Sequence, residues 1–551
     1  MASYFVTLRA MLGVVSSDVT ARAAGSAILR PGANALTSRI LETATALFSA
    51  VLLILSFPGF ELWPLAWVGL TPLLYQIARR PHARSAFILG WFWGILFFYG
   101  SCYWLTYSMI RYGHINARIS YALLLIPVML VALFPALCCL VLARLIARWG
   151  SIGLFAMPFV WVSLEWARLG VTGQLWNAIG YSQAYHPTMI QSASWGGVYA
   201  VGFLVVLTNG AIAYFLAERT RNAFRLTTMI GLIIAVLIVI PAILFKPQSP
   251  LPDLLVVAVQ PNVPMERVGS QKETDLLLAR HIALSRSGLQ ELERNEPIDN
   301  GAGVHLNSLP RLVIWPESPM NFTYGNDAQL RDLVTGFATG NRTSLLLNSL
   351  ELSPDGSGYN SALMVNEQGR LVAQYDKIRL MPFGEYVPLP RWVPGSSAIA
   401  PLVGGFAPGN RYALMPVGTT RAGVFICFES AFPSIASTFA NEGAGVLINI
   451  SNDGYLGPTP VMRQHLANAI FRAVENDRPV LRVTNTGLTA HISRHGKIKD
   501  LSGGFQPEVR TWAVSKVTER TFYTKYGDLF VVLCAVATLF ALAATVITRK
   551  P

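Results

Sequence analysis

Charge is scarce in this chain of 551 residues: Asp, Glu, Lys and Arg together supply 13%, about half the share of an ordinary soluble domain. Disordered chains have the opposite composition, so disorder is excluded. Cysteine is scarce too, five residues in all. No CxxC or HExxH grouping occurs, so no metal site and no cofactor are expected. No glycine-rich phosphate loop, internal repeat or sustained heptad is found.

Apolar residues are what the chain has, 52% of the total at a mean hydropathy of +0.43. They gather in runs at about 40–57, 60–78, 86–108, 120–143, 151–167, 193–216, 226–245 and 528–547. Each approaches the ~20 residues a helix needs to cross ~30 Å of hydrocarbon. No soluble core needs eight such runs, so a membrane α-helical bundle of about eight spans is predicted.

The net charge of +13 would suit a nucleic-acid binder if it lay on one folded face. It does not. Residues 251–525 hold 25 basic against 24 acidic residues, and the rest of the chain holds 18 against 6. The excess belongs to the lipid-rich part and reports topology, so no nucleic-acid partner is expected. Taking the N-terminus as cytoplasmic puts fourteen Lys and Arg on that side, from Arg9, Arg22, Arg30 and Arg39 to Arg549 and Lys550. Only Arg111, Arg118 and Arg168 fall in short connections opposite. By the positive-inside rule the large segment between the last two spans faces outward, the periplasm in a bacterial inner membrane. The predicted divisions are a cytoplasmic tail (1–38), a bundle of about seven helices (39–246), an extramembrane domain (247–525), and a last helix with a cytoplasmic end (526–551). Within the bundle, Glu165 and Arg168 stand at i, i+3 and are expected to pair. The loop after them, with Trp176 and Gly180–Gln183, is expected on the side of the large domain.

That domain alternates short apolar runs with helical stretches. Strands are predicted at 254–260, 311–315, 343–350, 360–365, 370–376, 421–427, 445–450, 480–485 and 488–493, and helices at 271–294, 327–339 and 461–476. This is an α/β pattern. Strand ends are where such folds place their chemistry, and here they carry Trp315-Pro316-Glu317-Ser318, Tyr375-Asp376-Lys377, Ile426-Cys427-Phe428-Glu429 and Ser451-Asn452-Asp453-Gly454. Cys427 is the only thiol of the domain, because Cys102, Cys138, Cys139 and Cys534 lie in the predicted spans. A thiol needs a base to take its proton, and attack on a carbonyl needs a cation for the oxyanion. A Glu and a Lys at neighbouring strand ends supply both. His465, His491 and His495 stand outside comparable motifs and are expected to be structural or to support the site indirectly.

The ordered set Trp315–Ser318, Tyr375–Pro388 (YDKIRLMPFGEYVP) and Ile426–Ser430 resembles the nitrilase superfamily. With seven spans before the domain and one after it, the chain is similar, within that superfamily, to the apolipoprotein N-acyltransferase family. Residues 257–264 and 472–487 share the likeness. The resemblance implies an α-β-β-α sandwich, with Glu317 as general base, Lys377 as oxyanion stabiliser and Cys427 as nucleophile. It marks Glu385 and Glu429 as supporting carboxylates. Phe428 stands where the family usually has Tyr, and Tyr455 near where it has Trp, so both, with Phe383 and Tyr386, are candidates for lipid contact. Loop 381–408, with Phe383, Tyr386, Val387, Trp392, Val393, Ile399, Leu402 and Phe406, is a candidate lid. The implied partners are a phospholipid acyl donor and a diacylglyceryl apolipoprotein acceptor, met at the membrane by a monomer. A tethered amidase of the superfamily and a non-enzymatic transporter or scaffold are the rival readings. One anchor would suffice for the first, and the spans carry few interior charges for the second.

Overall fold

The computed structural model describes residues 31–244, 251–265, 271–294, 308–320, 322–353, 356–387 and 405–547. Most of the expected tail lies outside these, as do the lid positions Trp392, Val393, Ile399 and Leu402 and the basic residues Arg9, Arg22, Arg30, Arg549 and Lys550. By internal contacts the chain divides into Met1–Ala44 and Thr45–Pro551. The first unit is described only from Pro31, where helix α1 (Pro31–Ser56) begins. All that follows concerns the second.

Its apolar helices are α2 (Ala83–Cys102), α3 (Ala117–Val131), α4 (Leu133–Trp149), α5 (Met157–Thr172), α6 (Ala193–Glu218) and α7 (Arg221–Leu244), with a last one (Leu529–Ile547) near the C-terminus. Among the described residues four stretches are long and apolar enough to cross a membrane: Ala83–Cys102, Ala117–Thr172, Ala193–Glu218 and Arg221–Pro241. Ile40–Ser56 and Leu529–Thr545 are apolar but shorter. The runs expected at 120–143 and 151–167 fall inside one stretch, where α3 meets α4 at Ala132 and a tight turn, Gly150–Ala156, leads into α5. The run expected at 60–78 is a correction. It is broken into Trp63–Leu65, Ala66–Gly69 and Thr71–Arg79, with Pro64 and Pro72 at the starts of the first and last pieces. Proline starts helices readily and interrupts their interiors.

Helix α6 is central and more than half buried, whereas α7 is mostly exposed. It is broken near its start, where Gly197 takes φ +63° and ψ −165°. The break frees the Val198 N–H, which donates at 3.0 Å to Glu475 of the outer domain.

The outer domain is built on two six-stranded sheets. The first has the order β12-β1-β2-β3-β4-β5, with β1 (Leu254–Gln260), β2 (Arg311–Ile314), β3 (Ser344–Leu352), β4 (Gly358–Val365), β5 (Leu371–Asp376) and β12 (Glu508–Val514). The second has the order β11-β10-β9-β8-β7-β6, with β6 (Leu414–Val417), β7 (Thr420–Ile426), β8 (Val446–Ser451), β9 (Val480–Thr484), β10 (Ala490–Ile492) and β11 (Ile498–Leu501). In each sheet three strands run parallel side by side, and the outer ones pair antiparallel with their neighbours. Parallel strands covered on both faces need continuous apolar sequence. β1 and β8 accordingly bury every residue.

One apolar cluster joins alternate side chains of the first sheet, Val256, Ile314 and Met364 among them, to Val424, Ile448 and Val483 of the second. The opposite face of the first sheet, with Val257, Val313 and Leu345, packs on helices α8 (Gln271–Arg294) and α9 (Ala328–Asn341). Helices α10 (Pro433–Asn441) and α11 (Val461–Asn476) lie against the second sheet. Helix α11 is almost wholly buried, because its far side meets the bundle. Gln464 accepts from the indole N–H of both Trp104 and Trp176, Tyr185 donates to the Arg463 carbonyl at 2.8 Å, and Arg463 pairs with Glu61.

A methyl group at Gly197 would lie 2.7 Å from a Tyr523 ring carbon, at a backbone conformation costly for L residues. Gly197→Ala is therefore expected to destabilise the protein by at least about 1 kcal/mol. A thermal midpoint in detergent, unchanged from wild type, would contradict that reading.

Candidate active site

The site forms where β2, β5 and β7 end. β5 runs parallel to β3 through the antiparallel β4, so β2 and β5 finish on the same edge of their sheet. Trp315 anchors the first of these ends. Fully buried on the helix side, it donates its indole N–H to Ser285 of α8 at 2.9 Å and packs 5.1 Å from the His281 ring. Pro316 cannot extend the ladder, and Glu317 turns into the site. One of its oxygens accepts from Asn360 Nδ2 at 2.9 Å and the other from the Asn452 N–H at 3.1 Å.

Lys377 follows β5 and is 1% exposed. Its Nζ lies 2.9 Å from both oxygens of Glu385 and 3.6 Å from Glu317 Oε1. Asn360 donates to Glu385 as well, at 2.8 Å, and Asn348 donates to the Asn360 side-chain oxygen, Oδ1, at 2.7 Å. That last bond fixes which end of the Asn360 amide is the donor. The Met381 N–H completes the Glu385 set at 2.7 Å. Burial alone would lower the Lys377 ammonium, but Glu385 and then Glu317 outweigh it and hold the group above its ordinary pKa.

Cys427 opens a tight turn, Cys427–Ala431, at φ +52°. A left-handed backbone costs a residue with a Cβ roughly 1–2 kcal/mol, so the turn needs outside support. Glu429 provides much of it. One of its oxygens accepts from Tyr375 Oη (2.9 Å) and the N–H groups of Ile378 (2.7 Å) and Arg379 (3.0 Å), the other from the Ile426 N–H at 2.8 Å. On a regular strand Glu429 would share the side of Cys427. The turn instead sends it to the Lys377 segment, which it ties to the end of β7. Burial and the Glu317 charge, opposed by Lys377, push the Cys427 thiol up to about 12.

The structure thus brings together Glu317, Lys377, Cys427, Glu385 and Glu429. Phe428 faces the bundle, its ring stacked 6.1 Å from Trp176 at 18°. Tyr455, 54% exposed, packs on Tyr112 at 5.5 Å, and its carbonyl accepts from Ser108. Phe383 and Tyr386 are exposed on the turn that carries Glu385. Glu165 and Arg168 are a correction, since no ion pair joins them among the described residues. Glu165 accepts from Trp161 and from the Ile179 N–H, and Arg168 donates to the Trp176 carbonyl at 2.7 Å. Both grip the loop between α5 and α6, which presents Trp176 to Phe428.

Sequence reasoning missed several members of the site. Asn360 lies inside β4 with no motif around it, and the Asn452 contribution is a backbone N–H. His465, expected to be structural or to support the site indirectly, has Nε2 3.0 Å from the Cys427 carbonyl oxygen. An ammonium, a carboxylate and a thiol in one water-poor cluster suit nucleophilic acyl transfer. Among the described residues no His, Cys, Asp and Glu grouping suits a metal.

Residues 49–211 match the family model described as apolipoprotein N-acyltransferase N-terminal domain, and residues 310–521 match carbon-nitrogen hydrolase. An apolipoprotein N-acyltransferase of Geobacter metallireducens is 32% identical over 92% of this chain and 95% of its own length. Others are similar, from Allorhizobium ampelinum (31%, over 75% and 77%) and Chlorobaculum tepidum (27%, over 91% and 96%). Among solved structures, Nit3 of Saccharomyces cerevisiae aligns at a TM-score of 0.35 and 19% identity, over 47% of this chain and 89% of its own. An amidase from Nesterenkonia sp. aligns at 0.36 and 15%, over 52% and 98%.

Glu429→Gln leaves one amide N–H facing a backbone N–H. An unsatisfied buried donor costs about 1–3 kcal/mol. The variant is expected to melt below wild type and to lose most activity, since the Lys377 and Cys427 segments lose their tie. Wild-type melting with full activity would refute this role.

Proposed function

The chain belongs to the apolipoprotein N-acyltransferase family, and from that premise we propose that it moves a fatty acyl chain from a membrane phospholipid to the α-amino group of the diacylglyceryl-modified first Cys of an apolipoprotein. The observation that carries this reading is the buried Lys377 ammonium between Glu317 and Glu385, whose field, with that of Glu317, acts on the Cys427 thiol. The protein is multi-pass, with its acyl-transfer domain on the periplasmic side of the inner membrane. About eight helices span the bilayer, and the outer domain is an α-β-β-α sandwich.

In the first half-reaction Glu317 takes the thiol proton while sulfur attacks the ester carbonyl carbon. Lys377 stabilises the oxyanion. Collapse breaks the ester C–O bond, and the leaving alkoxide takes the proton from Glu317 to depart as a lysophospholipid. In the second half, Glu317 accepts a proton from the acceptor amine, whose ordinary pKa of about 7.7–8.0 makes this help necessary. The nitrogen attacks the thioester, and the departing thiolate recovers its proton. Glu385 keeps Lys377 charged and placed, and Glu429 ties the lysine segment to the nucleophile turn.

A bundle serves this chemistry better than a tether. Extracting a sixteen-carbon chain from a bilayer costs on the order of 12 kcal/mol at ~0.8 per methylene, and a site at the lipid surface avoids the extraction. The stack of Phe428 on Trp176 supports such a placement, because it joins the nucleophile turn to the apolar helices.

Protein purified from membranes is expected to carry a fatty-acyl mass increment on the Cys427 peptide, removable by hydroxylamine. Cys427→Ala should lose the adduct and nearly all transfer. An unmodified thiol after incubation with phospholipid vesicles would overturn the thioester route.

A further inference from the structure

Behind the nucleophile turn lies a polar chain that the acyl transfer above leaves unassigned. Arg482 on β9 is fully buried and donates to both oxygens of Asp453, at 2.8 and 3.0 Å. Asp453 Oδ1 lies 2.8 Å from His465 Nδ1, and His465 Nε2 lies 3.0 Å from the Cys427 carbonyl oxygen. A carbonyl only accepts, so Nε2–H donates to it, and Nδ1 faces both Asp453 and the Arg482 guanidinium, 3.1 Å away. His465 is 3% exposed and Asp453 1%. Burial would raise the Asp453 carboxyl, but Arg482 and then His465 hold it well below the usual carboxylate range.

The position of Asp453 gives the chain its meaning. It directly follows Asn452, whose N–H holds Glu317. One short turn after β8 thus fixes the carboxylate through its backbone and, through Asp453 and His465, the peptide of the thiol. Asn449 adds a longer donor, 3.4 Å from the same carbonyl. Cys427 sits at φ +52°, so bonds to its carbonyl help hold the strained backbone from which Sγ projects. The Trp176 ring covers His465 from the bundle side, 5.6 Å away, which keeps water from competing for the bond.

We propose that His465 is a positioning residue, whose Nε2–H bond to the Cys427 carbonyl holds the strained nucleophile turn in register with Glu317. This rests on Cys427 being the nucleophile. The side-chain amide of Gln reaches the place of Nε2, and that of Asn the place of Nδ1. His465→Gln therefore keeps a donor for the Cys427 carbonyl and gives up Asp453, whereas His465→Asn does the reverse.

Single-turnover acylation of Cys427 would be followed by mass spectrometry, with full-length protein in phosphatidylethanolamine vesicles. His465→Gln is expected within about tenfold of wild type and His465→Asn about 100-fold slower, a loss that corresponds to ~2.7 kcal/mol at 1.36 per decade. The loss should fall in the rate, with half-saturation by phospholipid unchanged. A merely structural link from Asp453 to α11 predicts the opposite order, so His465→Asn matching or exceeding His465→Gln would overturn the proposal. Thermal midpoints separate positioning from misfolding. Alkylation of Cys427 by iodoacetamide, read on the same variants, should follow the same order. If wild-type Cys427 takes no acyl chain but the alkylation order holds, the positioning role survives and the acyl-transfer reading fails.

Discussion

The outer domain depends on keeping one ammonium charged where there is almost no water. Removing an ion from water costs several kcal/mol even after the protein relaxes. Attraction to a carboxylate a few ångströms away offsets roughly 4 kcal/mol at an effective dielectric near 20. Lys377 has two such partners, and the Asn360 amide bridges both. Removing either carboxylate leaves the cation short of its compensation. The three groups therefore act as one charged object, and the ends of β2 and β5 and the turn with Glu385 are built around it.

The thiol enters this object from the other sheet, which explains how Glu429 is used. Among the described residues none of its hydrogen bonds goes to the Lys377 ammonium or the Cys427 thiol. Its four acceptor contacts, to the Tyr375 hydroxyl and three backbone N–H groups, join the lysine segment to the start of the nucleophile turn. A second connection runs through α11, buried between its sheet and the bundle. The polar residues of that helix would be a liability on an exposed membrane-facing surface. Here Gln464, His465, Arg472 and Glu475 all have partners on one side or the other, Arg472 donating to the Ser430 carbonyl. The bundle and the nucleophile turn consequently share one helix and one aromatic stack.

What the sequence made legible follows from how each element is held. β1 and β8 are largely apolar on both faces and were readable as runs, as was the Leu345–Leu347 stretch of β3. β6, β11 and β12 were not: β6 contains Pro416, and β11 and β12 carry charged residues at sheet edges, where one side of the ladder is open. The strand-end residues stood out because their chemistry is unusual for a core. Asn360 and His465 did not, since an Asn in a strand and a His in a helix have many ordinary uses and only the fold brings them to the site. Glu165 and Arg168 were readable as a pair by spacing. Spacing is blind to a loop folding back, and Ile179 and Trp176 took the bonds.

The raised thiol pKa looks at first like an obstacle to a nucleophile. Releasing the Cys427 proton to bulk water would add a negative charge to a buried set that already carries two carboxylates and one ammonium, and burial and Glu317 oppose it. Handing that proton to Glu317 adds no charge at all. The thiolate appears as a carboxylate disappears, and Lys377 keeps one charged partner in Glu385 throughout. The same environment that suppresses free ionisation, and with it oxidation of an exposed thiolate, therefore permits transfer along one internal path. That path requires sulfur and carboxylate to be held in a fixed relation, so the supports of a single strained turn matter as much as the three groups that face the substrate.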